Sequence, residues 1–382
     1  MGKMPGIQLL QVWDRMALID KLQVITQLFE VQKTWLSARF EKIGSLYYDT
    51  RMMSKRAWQT RATCLPTTTE RKQILFEIRP KSLQEPSIWD YYQTVLQREI
   101  DATKNVPRLP KQMVVLCAPT LYLPTREKNL AALESCAHVA RYALPSDPLI
   151  CASHLWHNDL HDEKIFVDPM NHTRITGIID WQSTQAGTLF ENTSDPGILD
   201  YDGPGIESLE KPTLFQNYKE LFGTEKAAEI QLYYSKSLLV AYRRLTQRNP
   251  SFKKTSEFQA STAFDILKLS RRIFEVGEAH VQALSDPAAV QQAGEPASPP
   301  SFSESDLQRI ESDAEAADAG IQATDEIRRR LGEYWPEKGA VQAQHYDETK
   351  RLLKQIKEEL VHELALDPEG RTVFEQFRPF DE

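Results

Sequence analysis

Four side chains in one short stretch have the types and spacing that phosphoryl transfer needs. Residues 157–168 read His-Asn-Asp-Leu-His-Asp-Glu-Lys-Ile-Phe-Val-Asp, and Ile-Ile-Asp-Trp follows at 178–181. Asp159 falls in a loop ahead of a short β-rich run, and Asp180 closes the next such run. Phosphoryl transfer is mostly positioning and charge stabilisation. One acid orients the acceptor hydroxyl from within hydrogen-bond reach, and another holds Mg²⁺. Asp159 has the first position, with His157 two residues before it, and Asp180 has the second. Lys164 stands five residues after Asp159, where an amide able to ligate the metal would serve. An ammonium has no lone pair and repels a cation. Two readings of Lys164 stay open: a solvated lysine at a strand edge, or an ammonium paired with Asp159 or Asp180. The second would make it a built-in cation, supplying one charge where Mg²⁺ supplies two and so roughly half the Coulomb stabilisation at equal distance.

Other residues nearby allow other chemistry. His154, His157 and His161, with Cys151 upstream, have spacing that suggests zinc. The run lacks a paired-cysteine spacing, however, and the acid-bearing loop explains it better, with His161 as a structural hydrogen-bonding histidine. Trp156 and Trp181 flank the loop and suit packing more than stacking on a ligand. Asp200 and Asp202, in Leu-Asp-Tyr-Asp-Gly-Pro, could touch substrate or metal, or only shape a turn.

The elements that must hold these residues are mostly helical. Leu18, Leu22, Ile25, Leu28, Phe29, Leu36 and Phe40 place a helix over about 17–39. Gly44-Ser-Leu-Tyr-Tyr-Asp reads as strand or turn, and 51–72 as irregular. Helices are expected over 87–101 and 126–141. Lys164–Asp168 and Arg174–Asp180 then form a β-hairpin, with Pro169-Met-Asn-His-Thr as its turn. Residues 186–208, rich in Gly, Pro and Asp, read as loop. Helices resume near 214–222, 224–246 and 256–280. The Pro- and Gly-bearing stretch 285–302 reads as a linker or flexible loop. Beyond it, Ser303 with Asp306 is an imperfect capping box for a helix on Leu307, Ile310, Ala314, Ala317, Ile321 and Thr324. Gly332-Glu-Tyr-Trp-Pro-Glu-Lys-Gly ends that helix, and a second begins near Tyr346. The two form a helical hairpin that packs on the main body. Arg328-Arg329-Arg330 reads as a solvated helix end, favourable near a C-terminus.

Charge and cysteine usage narrow the class. The formal charge of −8 argues against nonspecific nucleic-acid binding. The acidity is concentrated from Ser301 to Glu382, with 20 acidic and 11 basic residues there against 34 and 35 in the rest. Four scattered cysteines without a CxxC pair suit reduced thiols and a chain that is not secreted. No apolar run approaches the roughly 18 residues of a membrane span, and Met-Gly-Lys-Met-Pro-Gly reads as neither a transit peptide nor a myristoylation signal.

Taken together, Leu155-Trp-His-Asn-Asp-Leu-His-Asp, Ile165-Phe-Val-Asp-Pro, Gly177-Ile-Ile-Asp-Trp-Gln and Leu199-Asp-Tyr-Asp-Gly-Pro resemble the aminoglycoside phosphotransferase and choline kinase family, in particular its fungal members. Ser45-Leu-Tyr-Tyr and Trp335-Pro-Glu-Lys-Gly extend the similarity over most of the chain. The family loop is similar to His-Gly-Asp-Leu-His-x-x-Asn. The resemblance implies Asp159 as catalytic base, His157 as the histidine that braces the loop and Asp180 as the metal-binding acid. It puts Lys164, the cofactor-site candidate, at the position of the family's metal-binding Asn. It implies ATP and Mg²⁺ as cofactors, a small-molecule hydroxyl as acceptor and a mitochondrial location, with cytoplasm as the alternative. Met4-Pro-Gly-Ile-Gln-Leu resembles the segment just after a kinase hinge, so the N-lobe with its Gly-rich loop and phosphate-binding Lys is expected to be largely absent.

The fold expected is α+β and mainly helical: a protein-kinase-like C-terminal lobe over 1–284 with a small β-hairpin catalytic-loop region, a linker at 285–302, and an acidic helical hairpin over 303–382. The function expected is that of a phosphotransferase-like chain impaired by Lys164 and by the missing lobe. The alternative is a noncatalytic, pseudokinase-type binding or regulatory protein, for which a protein partner is one expectation.

Overall fold

The computed structural model describes residues 4–48, 58–61, 87–112, 114–181, 184–192, 195–214, 218–284, 303–335, 341, 343–364 and 367–377. The expected linker 285–302, most of 51–72 and most of Trp335-Pro-Glu-Lys-Gly lie outside them. The chain is α+β and mainly helical, with two small antiparallel sheets.

In chain order the main elements are β1 (Ile7–Gln8), α1 (Leu18–Ser37), β2 (Arg39–Phe40), β3 (Gly44–Tyr48), β4 (Trp58–Arg61), α2 (Ile88–Asn105), α3 (Arg126–Ala143), β5 (Ser153–Trp156), β6 (Ile165–Val167), β7 (Ile175–Ile178), β8 (Gln185–Thr188), α4 (Gly223–Gln247), α5 (Pro250–Gln259), α6 (Thr262–Ser270), α7 (Ala279–Leu284), α8 (Glu304–Leu331), α9 (Tyr346–Leu364) and α10 (Pro368–Phe377). They form two compact units that do not follow the division expected at 285–302. The first comprises Met1–Cys64, Lys81–Tyr91 and Pro145–Gln259, and the second Leu65–Pro80, Tyr92–Leu144 and Ala260–Glu382.

In the first unit, α1 is the central packing helix. Val24, Ile25, Leu28, Phe29 and Trp35 are buried on one face, at the spacing its sequence gives. Phe29 meets Tyr242 of α4 edge-on at 6.3 Å and Phe252 of α5 at 5.5 Å. Buried Gln32 is satisfied there, since its Oε1 accepts from the Tyr242 hydroxyl at 2.9 Å. One sheet has the order β1-β6-β7 and the other β2-β5-β8-β3-β4. The β6–β7 hairpin runs in register from Ile165 opposite Ile178, with an irregularity near Val167. Its turn is closed by Asp168 Oδ1, which accepts from Met170 N at 2.8 Å, and by Asn171 Oδ1, which accepts from Thr173 N at 3.2 Å.

Three expectations in this unit are corrected. Residues 186–188 are not loop: they belong to β8, the middle strand of five, paired with β5 on one side and β3 on the other. In Gln-Ala-Gly-Thr only Thr188 favours a strand, and partners on both edges supply what the rest of its composition lacks. Within 51–72, Trp58–Arg61 pairs with β3 as β4. The helix expected at 214–222 does not form among the described residues. Tyr218–Glu220 is a turn, Phe222 is extended and 80% exposed, and the helix starts at Gly223.

The second unit is built on α8. Ser303 caps it: Asp306 N donates to Ser303 Oγ at 3.2 Å and Ser303 N to Asp306 Oδ2 at 3.3 Å, so the capping box is complete. Ile327 and Leu331 of α8, Ile356, Leu360 and Val361 of α9, and Phe374 of α10 enclose Leu116 and Ala118 in one core. The hairpin expected from sequence is therefore three helices. Arg330 leaves the solvated end assigned to it and bridges from α8 to Glu359 of α9 at 2.9 Å. Gly320 lets an extended segment cross α8 closely: Leu116 N donates to Gly320 O at 3.2 Å, and a Cβ at Gly320 would lie 2.5 Å from Leu116 O. The helical stretch expected over 256–280 is broken into α5, α6, a short turn of helix and α7. No described helix is long and apolar enough to cross a membrane.

Candidate functional site

Three segments of the first unit converge on the loop that carries Asp159. Leu9 N donates to Ile165 O at 2.8 Å, Leu10 N to Asp162 O at 3.3 Å and Gln8 Nε2 to Glu163 O at 3.1 Å, so the start of the chain straps the loop's far end. At the hairpin turn, Gln27 of α1 donates through Nε2 to Thr173 O at 2.6 Å and accepts at Oε1 from Ile175 N at 3.1 Å. Sequence reasoning missed this clamp because Gln27 carries no motif and reads as one more polar residue on an amphipathic helix.

Lys164 is fixed by its own backbone. Its N–H donates to His161 O at 3.0 Å, and its carbonyl accepts from Ile179 N at 2.9 Å. The residue is only 9% exposed, which removes the solvated reading. Its Nζ donates to Asp159 Oδ2 and lies 2.7 Å from Asp180 Oδ2. The ammonium thus sits between the two acids. Burial pulls the Lys164 pKa down, but the hydrogen bonds to Asp159 and Asp180 outweigh it and leave it above its ordinary value. The Lys164 hydrogen bond holds the Asp159 carboxyl below its usual range. Asp180 adopts a left-handed backbone, with φ of 65°, as the chain leaves β7. Asp tolerates this region better than most residues, and the turn carries the carboxylate to the ammonium.

His157 is buried, and its Nε2 faces Ile179 O at 3.0 Å. A carbonyl oxygen only accepts, so Nε2 carries the proton, and buried Nδ1 has no partner among the described residues. The bond ties the loop to the residue before Asp180. Trp181 meets the His157 ring edge-on at 5.0 Å and donates through Nε1 to Ile178 O at 2.9 Å. Trp35 lies against both Trp181 and Trp156, so Trp156 packs into the core, while Trp181 keeps 37% exposure.

The other candidates turn elsewhere. His161 faces Asp159, Asp162 and Glu163 at 3.8–4.0 Å, and the Cys151 thiol donates to Pro145 O at 2.8 Å. His154 Nδ1 is buried and has no hydrogen-bond partner among the described residues. These side chains and His157 therefore do not share a ligand position. Asp200 and Asp202 are exposed, and Tyr201 closes their loop by donating to Pro204 O at 2.9 Å.

The donor set does not suit Mg²⁺ as it stands. An ammonium already lies against one oxygen of each carboxylate, offers no lone pair and repels a second cation. Asp159 remains reachable, with its side chain 56% exposed, but its lowered pKa makes it a weaker base.

The chain matches no protein-family profile, no curated protein and no solved structure.

Proposed function

We propose that this chain carries a phosphotransferase-derived site, of the aminoglycoside phosphotransferase and choline kinase kind, in which Lys164 replaces the metal and the protein acts without catalysis, as a binding or regulatory chain. One observation carries the reading: a single buried ammonium is shared by Asp159 and Asp180. The kinase-like character rests on the loop, the hairpin and the acid after it, together with the His157 contact that ties the loop to the hairpin's end. The loss of catalysis rests on charge. Lys164 delivers about half the charge of Mg²⁺ and cannot bridge phosphate oxygens as a metal does. Losing one well-placed stabilising group costs on the order of 10²–10³ in rate.

Calorimetry of Mg·ATP binding tests this. No saturable binding at millimolar nucleotide is expected. Millimolar or tighter affinity abolished by Asp180→Ala would overturn it and restore the competing reading, ATP-dependent phosphorylation of a small-molecule hydroxyl with Asp159 as base. That reading draws its support from the convergence of the two acids on one cation.

A further inference from the structure

A cleft of about 290 Å³ lies in the first unit between the N-terminal half of α1 and the C-terminal half of α4, with Lys211 and Pro212 on its third side. None of its lining residues belongs to the Asp159 site. Leu18, Leu22, Val240 and Leu245 give it an apolar floor, and Lys211, Arg244 and Arg248 are its charged members. No carboxylate lines it, although the chain as a whole carries a net charge of −8.

The three cations are unspent, and their neighbours are not. Arg243 is held by Asp195 at 2.7 Å, Lys253 faces Glu257 at 3.8 Å, and Lys254 is bonded to Asp147. Among the described residues, Lys211, Arg244 and Arg248 have no such partner. Arg244 lies in the last turn of α4, and Arg248, four residues on, is its C-cap residue with αR backbone, so the two project from the same side of the helix end. The aliphatic hydroxyls in the wall, Ser237 and Thr26, already donate within their own helices, and Tyr233 brings a phenolic hydroxyl to the lining. Ser237 Oγ donates to Tyr233 O at 2.7 Å and Thr26 Oγ1 to Leu22 O at 2.8 Å, so both protons are committed within their helices. The charged part of anion recognition therefore falls to two guanidinium forks and one ammonium, with the Tyr233 hydroxyl as a neutral donor beside them.

We infer that this cleft binds a phosphomonoester with a short apolar tail, the phosphate meeting Arg244, Arg248 and Lys211 and the tail lying on Leu18, Leu22 and Leu245. Three cations match a group of nearly two negative charges better than a carboxylate. The volume of about 290 Å³ falls just below the roughly 300–1,000 Å³ of small-molecule pockets, which fits a short tail rather than a helix.

The test is calorimetry of the full chain with octyl phosphate below its micelle concentration, alongside inorganic phosphate, octanol and phosphatidylcholine vesicles containing phosphatidic acid. Octyl phosphate is expected to saturate one site at least about tenfold more tightly than phosphate or octanol. The double variant Arg244→Gln/Arg248→Gln should weaken it by about tenfold or more with an unchanged melting temperature. Lys211→Gln, on a separate segment, should weaken it independently. Equal affinity of wild type and both variants for octyl phosphate would overturn the assignment. So would phosphate or octanol binding as tightly as octyl phosphate. Capture by the vesicles without binding of octyl phosphate would also overturn it, and would make the patch a lipid-surface contact.

Discussion

At the scale of the residue, Lys164 decides what the loop can do. Its ammonium has Asp159 on one side and Asp180 on the other, and each interaction favours the charged forms. The sign of the pH dependence follows. A carboxylate held below its usual pKa stabilises the fold above its unfolded value, and that contribution is lost in acid as the pH falls through the lowered value. A lysine raised above its usual value stabilises below its unfolded pKa and loses that contribution in strong alkali. NMR of the Lys164 side-chain nitrogen should therefore show no titration between about pH 5 and 9; a transition there would mean the ammonium is not held by the pair. Gln27→Ala removes two hydrogen bonds from the hairpin turn and should cost about 1–2 kcal/mol in urea unfolding. The types and spacing of Asp159, Lys164 and Asp180 were legible in the sequence. The direction of the lysine was not, because it depends on the turn at His161 and on the left-handed backbone of Asp180.

At the scale of the element, long amphipathic helices and the β6–β7 hairpin were legible because period and turn residues agree there. Elements whose stability comes from pairing were not. β8 reads as loop and becomes a central strand only because β5 and β3 flank it. The 214–222 stretch has apolar residues at helical spacing, yet Phe222 is extended and the helix waits until Gly223. β1 depends on a single backbone position. Gly6 has φ of +104°, and a Cβ there would lie 2.4 Å from Val167 O. Gly6→Ala should therefore break the β1–β6 pairing and cost about 1–3 kcal/mol, read as lost amide protection at Leu9, whose N–H donates to Ile165 O. Full protection in the variant would contradict the role given to β1 in strapping the loop.

At the scale of the whole molecule, the two units draw on alternating stretches of chain, which linear reading of composition does not reveal. The sequence marked 285–302 as the boundary because Pro and Gly cluster there, whereas residues 92–144 and 260–284 share the second unit with the tail helices. That unit encloses a carboxyl of its own. Glu278 is fully buried, accepts from Asn129 Nδ2 at 2.9 Å and lies near Tyr122, Cys117 and Lys128. Burial pushes it up to about 7, with Tyr122 and Lys128 opposing in part. The folded state then holds the proton more firmly than the unfolded state. The stabilisation is full below the ordinary carboxylate value and is lost as pH rises through about 7. Thermal unfolding of the second unit should fall in temperature across that window, and Glu278→Gln should flatten the slope.

The proposed role of Lys164, a cation in the place of a metal between Asp159 and Asp180, makes a direct prediction about Mg²⁺. Calorimetric titration of Mg²⁺ into the wild-type chain and into Lys164→Asn tests it most directly. No saturable heat is expected from the wild type at millimolar Mg²⁺, and measurable binding is expected from the variant, lost again when Asp180→Ala is added. Mg²⁺ binding by the wild type as tight as by Lys164→Asn would contradict it.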